Sequence, residues 1–141
     1  VFWHDNEHIK STGFYKEGIM NGPWKFFYLN GIKEKEGVLV NGNADGPWTF
    51  WDKNSMKIQE GVFQDGTKEG KWTAWFDDGR STEGYYTNGK KNETWTSWWD
   101  HDRTRKEMQG NYRDGKMVDK WYFYDKNGNL KEIRYFSPDF D

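Results

Sequence analysis

Gly37-Val38-Leu39-Val40-Asn41-Gly42-Asn43-Ala44-Asp45-Gly46-Pro47-Trp48-Thr49-Phe50-Trp51 is written, with variations, five times along this chain. A Gly and, eleven positions on, a Trp stand at Gly13/Trp24, Gly37/Trp48, Gly61/Trp72, Gly84/Trp95 and Gly110/Trp121. Successive Trp are 24, 24, 23 and 26 residues apart. A fixed period of that size means one supersecondary unit stacked on its neighbours.

Five residues after the opening Gly the stretch reads Asn41-Gly42, and the other units carry Glu17-Gly18, Asp65-Gly66, Asn88-Gly89 and Asp114-Gly115. Asn-Gly and Asp-Gly are strong hairpin signals because both residues accept positive φ cheaply. A second Gly at Gly22, Gly46 and Gly70 gives way to Glu93 and Asp119, so the loop chemistry there reads as less strict. After the Trp comes a largely aromatic pair: Phe26-Phe27, Phe50-Trp51, Ala74-Trp75, Ser97-Trp98 and Phe123-Tyr124. A second turn follows at Asn30-Gly31, Asp78-Gly79 and Asn127-Gly128, with Asn54-Ser55 and Asp102-Arg103 as weaker versions. Two turns per period leave room for two strands.

The units are 13–36, 37–60, 61–83, 84–109 and 110–136, with a partial unit 1–12 and a tail 137–141, all read as one repeat domain. Trp3 lies 24 residues before Phe27, as Phe27 does before Trp51, so Val1-Phe2-Trp3 matches the aromatic end of a further unit and the repeat is expected to continue beyond residue 1. Pro138 and the short tail after Phe136 mark the expected C-terminal stop of the repeat.

Aromatics make 20% of the chain and include ten Trp, while the formal net charge is only −2. Each buried ring removes about 150–250 Å² from water, so the apolar content sits in rings rather than in a wide aliphatic core. Strand alternation sends Trp24, Phe26 and Tyr28 to one face and Lys25 and Phe27 to the other. Tyr15, Leu39, Phe63, Tyr86 and Tyr112 supply an apolar position two residues after each Gly. A bare Gly leaves a gap that a neighbouring ring can cover, so a Trp stacked over Gly is predicted in each repeat. The predicted fold is all-β: an elongated single-layer antiparallel meander of ten or eleven strands, about 50 Å long at roughly 4.8 Å per strand.

Gly-x-aromatic-x-x-Gly, then Gly-x-Trp-x-aromatic-aromatic, then Asn/Asp-Gly resembles the variant MORN repeat of bacterial proteins, some of them described as antitoxin-like, over residues 1–136. The resemblance implies an interaction or scaffolding module without chemistry of its own. Cell-wall and glucan-binding repeats combine similar residues, but with adjoining Gly and Trp and a shorter period; here one residue separates the two.

Nothing singles out a catalytic residue, a cofactor or a metal. His4-Asp5-Asn6-Glu7-His8 has two His at the helical zinc spacing with Glu misplaced, and a polar loop is the plainer reading. Asp100-His101-Asp102 reads as a solvated insertion. Asp125-Lys126-Asn127-Gly128-Asn129 has its Gly two positions early for a calcium loop and lacks the distal Glu. Cysteine is absent, and Ser11, Ser55, Ser81, Ser97 and Ser137 lie in no nucleophile-elbow context. Asn92-Glu93-Thr94 matches a glycosylation sequon and reads as a turn.

With 21 basic and 23 acidic residues interspersed, no basic stripe exists to neutralise phosphates, which argues against nucleic acid; no strong membrane signal is present either. Lys10, Lys33 and Lys35, with Glu34 and Glu36, read as a solvated strand edge that deters edge pairing. The predicted partner is a protein or a second copy of the chain, with a glycan as the alternative. The candidate surface is the outward ladder Phe27, Trp51, Trp75, Trp98 and Tyr124, with Phe76 and Trp99 beside it.

Overall fold

The computed structural model describes residues 1–5 and 8–137. Fourteen strands follow in chain order: β1 (Phe2–Trp3), β2 (Ile9–Thr12), β3 (Tyr15–Lys16), β4 (Ile19–Met20), β5 (Gly22–Phe27), β6 (Lys33–Val40), β7 (Asn43–Trp51), β8 (Lys57–Gln64), β9 (Thr67–Trp75), β10 (Ser81–Thr87), β11 (Lys90–Trp98), β12 (Lys106–Arg113), β13 (Lys116–Tyr124) and β14 (Leu130–Phe136). Twelve form an antiparallel meander in sequence order without a crossover, and β3 and β4 form a short hairpin beside them. Compactness divides the chain into Val1–Lys68 and Glu69–Asp141, called units 1 and 2 below.

The count exceeds the expected ten or eleven for two reasons. The first hairpin is interrupted near its Gly, so that β3 and β4 separate from β2 and β5. Leu130–Phe136 also adds a strand whose Arg134 lies opposite Trp121, in the register that Gly37, Gly61, Gly84 and Gly110 occupy opposite Trp24, Trp48, Trp72 and Trp95.

The steric reason for the Gly is direct. A Cβ built on Gly37 would fall 2.2 Å from Trp48, and one on Gly84 would fall 2.0 Å from Trp95; Gly13 with Trp24 and Gly110 with Trp121 are the same. The indole therefore lies on the bare Cα of the preceding strand. Its Nε1 donates to the carbonyl of the residue after that Gly: Trp24 to Phe14 at 3.0 Å, and Trp48 to Val38, Trp95 to Tyr85 and Trp121 to Asn111 at 3.1 Å. These four Trp are at most 5% exposed. A buried indole N–H without an acceptor would cost about 1–3 kcal/mol, and the main chain removes that cost.

Edge-on rings complete the same face. In unit 1 Tyr15 meets Trp24 at 5.4 Å and Phe63 meets Trp48 at 6.2 Å, while Leu39 joins Trp24 and Trp48 in the buried cluster. In unit 2 Trp72, Tyr86, Trp95, Tyr112, Trp121 and Phe136 alternate as T-shaped neighbours at 5.1–6.4 Å. Burial raises the pKa of the Tyr86 and Tyr112 phenols and lowers that of Lys91, whose ammonium lies 4.6 Å above the Trp95 ring.

Both turns recur in one conformation each. At Asn41-Gly42 the φ angles are 52° and 85°, and the four sister turns match, the type I′ geometry that suits strand twist. At the second turn the Tyr28 amide donates to Ile32 and the Gly31 amide to Tyr28. Ser55 (φ 68°) and Arg103 (φ 59°) take the left-handed place that Gly31, Gly79 and Gly128 hold elsewhere.

The position expected to be permissive is conformationally strict. Gly22, Gly46 and Gly70 have φ of 96°, 87° and 70°, and Glu93 and Asp119 both hold 61°. The register breaks between Glu83 and Tyr85, opposite Glu93, so the conformation belongs to a bulge. Asn92-Glu93-Thr94 thus lies inside β11, not in a turn as the sequence suggested. A left-handed backbone costs an ordinary side chain about 1–2 kcal/mol, partly offset by the greater unfolded-state freedom of Gly. Glu93→Gly is expected to stabilise the chain by about 1 kcal/mol, read as a higher denaturation midpoint at unchanged slope. A lower midpoint would mean that the Glu93 side chain contributes more than its backbone costs.

The Lys33–Lys35 segment is not an edge. β6 pairs with β5 and β7 along its length, and its lysines are used within the sheet: Lys33 binds Glu36 at 2.9 Å and lies 4.4 Å above Trp51, while Lys35 lies 4.9 Å above Phe26.

Candidate interaction surface

Each strand residue that follows or precedes a buried Trp or its Gly points to the other face. Two rows are built there in unit 1. Cross-strand pairs Lys25–Glu36, Glu36–Thr49 and Thr49–Glu60 form a polar row, which Thr12 opens opposite Lys25. Pro23–Val38 and Pro47–Val62 form an apolar row, with Phe14 at its start. Because Gly13, Trp24 and Gly37 send no side chain to this face, the two rows are separated by bare backbone. The result is a groove of about 560 Å³ lined by Val1, Phe14, Pro23, Val38, Thr12, Lys25 and Glu36, with Gly13, Trp24 and Gly37 at its floor.

The apolar row is open to solvent: Phe14 is 66% exposed, Val38 36% and Val62 40%, and Pro23 and Pro47 are exposed as well. Unit 2 fills the corresponding places with the pairs Lys71–Tyr85, Thr94–Asn111 and Lys120–Tyr135. In two of the pairs the side chains engage, Thr94 Oγ1 donating to Asn111 at 2.8 Å and Lys120 lying over Tyr135, while Lys71 pairs with Glu83. The same backbone thus carries an aliphatic and proline row in one unit and a mixed row in the other, where the exposed rings of Tyr85 and Tyr135 alternate with polar side chains.

The ladder expected from the sequence is more covered. Phe27, Trp51, Trp75, Trp98, Trp99 and Tyr124 are half-buried and Phe76 is exposed. Phe27 and Trp51 lie opposite Lys33 and Lys57. Trp75 and Trp98 flank Ser81, which is fully buried and donates to the Asp100 carbonyl at 2.7 Å. Arg103 approaches the Trp98 ring at 5.9 Å and Lys126 the Trp99 ring at 5.6 Å. Tyr124 pairs with Leu130, and its carbonyl accepts Trp99 Nε1 at 3.3 Å. Rings and cations therefore close over one another along this ladder.

The polar clusters weighed as cation sites are turn chemistry. Asp125 Oδ1 accepts the amides of Asn127 and Asn129, which lower its pKa. Asp100 accepts the hydroxyl and amide of Thr104, and its pKa falls to about 2. His101 meets the Phe76 carbonyl at 2.9 Å, as His4 meets that of Phe27; Asn6, Glu7 and Pro138 lie outside the described residues. Among the described residues no three His, Asp or Glu side chains converge.

Residues 20–41 and 120–137 match the family described as MORN repeat variant. Both stretches carry the Trp strand, the second turn and the strand that follows. These are MORN-repeat variants. Comparison with curated proteins found no match. The two matched stretches are repeat units, and the second runs through β14, where Arg134 takes the place of the Gly. The row Phe14–Pro23–Val38–Pro47–Val62 was not singled out from the sequence. Its signal was there in the residue after each Gly and the residue before each Trp, but those residues are ordinary in type, and only the register puts them side by side.

Proposed function

We propose that the chain is a non-enzymatic protein-interaction module and that unit 1 presents its contact surface through the apolar row and, on the far side of the polar row, the ladder residues Phe27 and Trp51. The observation that carries this reading is the exposure of Phe14, Val38 and Val62 on the face away from the sealed indoles. A continuous exposed apolar strip is costly in water and marks a contact surface in soluble proteins. The glycan reading needs free ring faces for sugar, and Lys33, Arg103 and Lys126 lie over the rings of Trp51, Trp98 and Trp99.

A photoreactive benzophenone side chain placed at Val38, and as a control at Asn111, tests the assignment in cells producing the protein. Irradiation is expected to yield a protein adduct from position 38 and none from 111. Equal yields, or none at either position, would sink the proposal. A change of Trp fluorescence on adding glycans would support the rival.

A further inference from the structure

We infer that the partner of the unit 1 groove is a second copy of this chain, bound face to face about a two-fold axis that runs parallel to the strands between β5 and β6. The inference rests on the interaction reading above and adds the occupant and the register.

Charge complementarity selects this arrangement. An isologous contact places residue i on j and j on i, and an axis between β5 and β6 exchanges those two strands. Lys25 of one copy then faces Glu36 of the other, and Glu36 faces Lys25, so these four charges alternate in sign around the axis, each Glu36 being held in place by Lys33 of its own copy. The two residues already lie opposite each other within one copy, and Lys25 is exposed. An axis displaced by one strand, between β6 and β7, would set Lys25 against Glu60 but leave Glu36 facing Thr49. Centring it on β6 would set Glu36 against Glu36, which like-charge repulsion opposes.

The same operation orders the apolar row. With β5 on β6, Pro23 of one copy meets Val38 of the other; with β2 on β7, Phe14 meets Pro47. Val1 lines the groove at the β1 end and is 66% exposed; it is level with Thr12, one place beyond the Phe2–Ser11 pair, so with β1 on β8 it falls beside Glu60 at the margin of the contact. Thr12 meets Thr49 in the polar row. Apart from Val1 at the margin, the side chains lining the groove thus find partners of their own class or opposite charge without a change of backbone.

Face-to-face sheets pack at about 10 Å with strands roughly 30° apart, a distance that side chains of this size fill. About five strands at roughly 4.8 Å and about six residues at roughly 3.4 Å give a patch of about 500 Å² per copy. That is below the roughly 800 Å² per partner of stable complexes, so the dimer is expected to be weak and to form with rising concentration.

The test uses the whole chain, with Lys25→Glu and Glu36→Lys as separate variants followed by light scattering and sedimentation. The parent chain should rise from 16.9 kDa toward twice that mass over about a hundredfold range of concentration. Each variant alone turns both cross-copy pairs into like-charge pairs and should associate at least about tenfold more weakly, about 1.4 kcal/mol. Mixed in equal amounts they should recover association. The carboxylate introduced by Lys25→Glu in the first copy then faces the ammonium introduced by Glu36→Lys in the second, and the unaltered Glu36 of the first faces the unaltered Lys25 of the second. No change within a single copy produces that recovery. Val38→Lys, whose side chain is partly exposed at a bulge, should abolish association while near-UV circular dichroism stays unchanged.

A parent dimer whose variants fail to recover on mixing overturns the register. A parent chain that stays monomeric overturns the second copy as occupant; the Val38 cross-link then separates the two failures, since an adduct with a different protein leaves the interaction reading standing and no adduct removes it as well.

Discussion

Gly84→Ala is expected to destabilise the protein by about 3–5 kcal/mol, several times the size of an ordinary Gly-to-Ala effect. The new methyl would lie 2.0 Å from Trp95 Cδ2 and 2.2 Å from Cε2, far inside contact distance, and the strand backbone on one side and the indole on the other leave two responses. If the strands part, the ladder between β10 and β11 breaks. If the indole turns away, Trp95 loses its burial and its N–H loses the Tyr85 carbonyl at 3.1 Å. Overpacking alone costs about 1–3 kcal/mol, and leaving a buried donor unpaired adds about 1–3. The φ of Gly84 is not in the left-handed region, so the loss is steric and not conformational. Urea denaturation of the variant measures it. A loss under about 1 kcal/mol, the low end of the overpacking range, would show that the indole does not rest on the Cα. A loss on adding Gly84→Ala to the parent chain that is absent on adding it to Trp95→Leu would localise the clash to the ring, because the smaller side chain makes room for the methyl.

The spacing of Gly and Trp was legible because one steric fact, a ring lying on a bare Cα, is written in two residue types that little else in the sequence imitates. The Asn-Gly and Asp-Gly turns were legible for a similar reason: positive φ at two successive positions restricts the choice of residue. Glu93 and Asp119 misled because an ordinary side chain can be held left-handed by a bulge, and residue type then understates the demand of the backbone. β14 was harder to count as a separate strand because Arg134 stands where the marker Gly would be; the spacing of 24 from Gly110 was its signal.

The surface was read less well than the fold. Alternation identified which face Phe27, Trp51, Trp75, Trp98 and Tyr124 take, but exposure depends on what lies opposite them. Lys33 covers Trp51, and Ser81 is small enough for Trp75 and Trp98 to close over it. Those neighbours are fixed by register, through bulges such as the one between Phe26 and Phe27. A one-residue shift changes the neighbour without changing the composition, and so the open row at Val38 and Val62 emerged only with the strand pairing.

Trp121→Ala is expected to cost about 3–5 kcal/mol, the range for deleting a buried Trp, and to do so locally. Trp121 is 1% exposed. It lies on Gly110, holds the Asn111 carbonyl through Nε1, and meets Tyr112 at 5.1 Å and Phe136 at 6.4 Å. Removing it takes away the ring that both Tyr112 and Phe136 pack against, and β14 is otherwise exposed along most of its length. In a stack of nearest-neighbour units the loss of one interface need not melt the next, because Tyr86 still meets Trp72 and Trp95. Hydrogen exchange should therefore show β13 and β14 unprotected while β10 and β11 remain slow, and the unfolding transition should broaden as the two parts separate. Uniform loss of protection through unit 2 would show instead that its rings act as a single cooperative core. Trp121→Phe separates the two contributions of the indole: it keeps much of the apolar contact and removes the N–H, so a cost near that of Ala would assign the stability to the Asn111 hydrogen bond and the fit over Gly110 rather than to ring area.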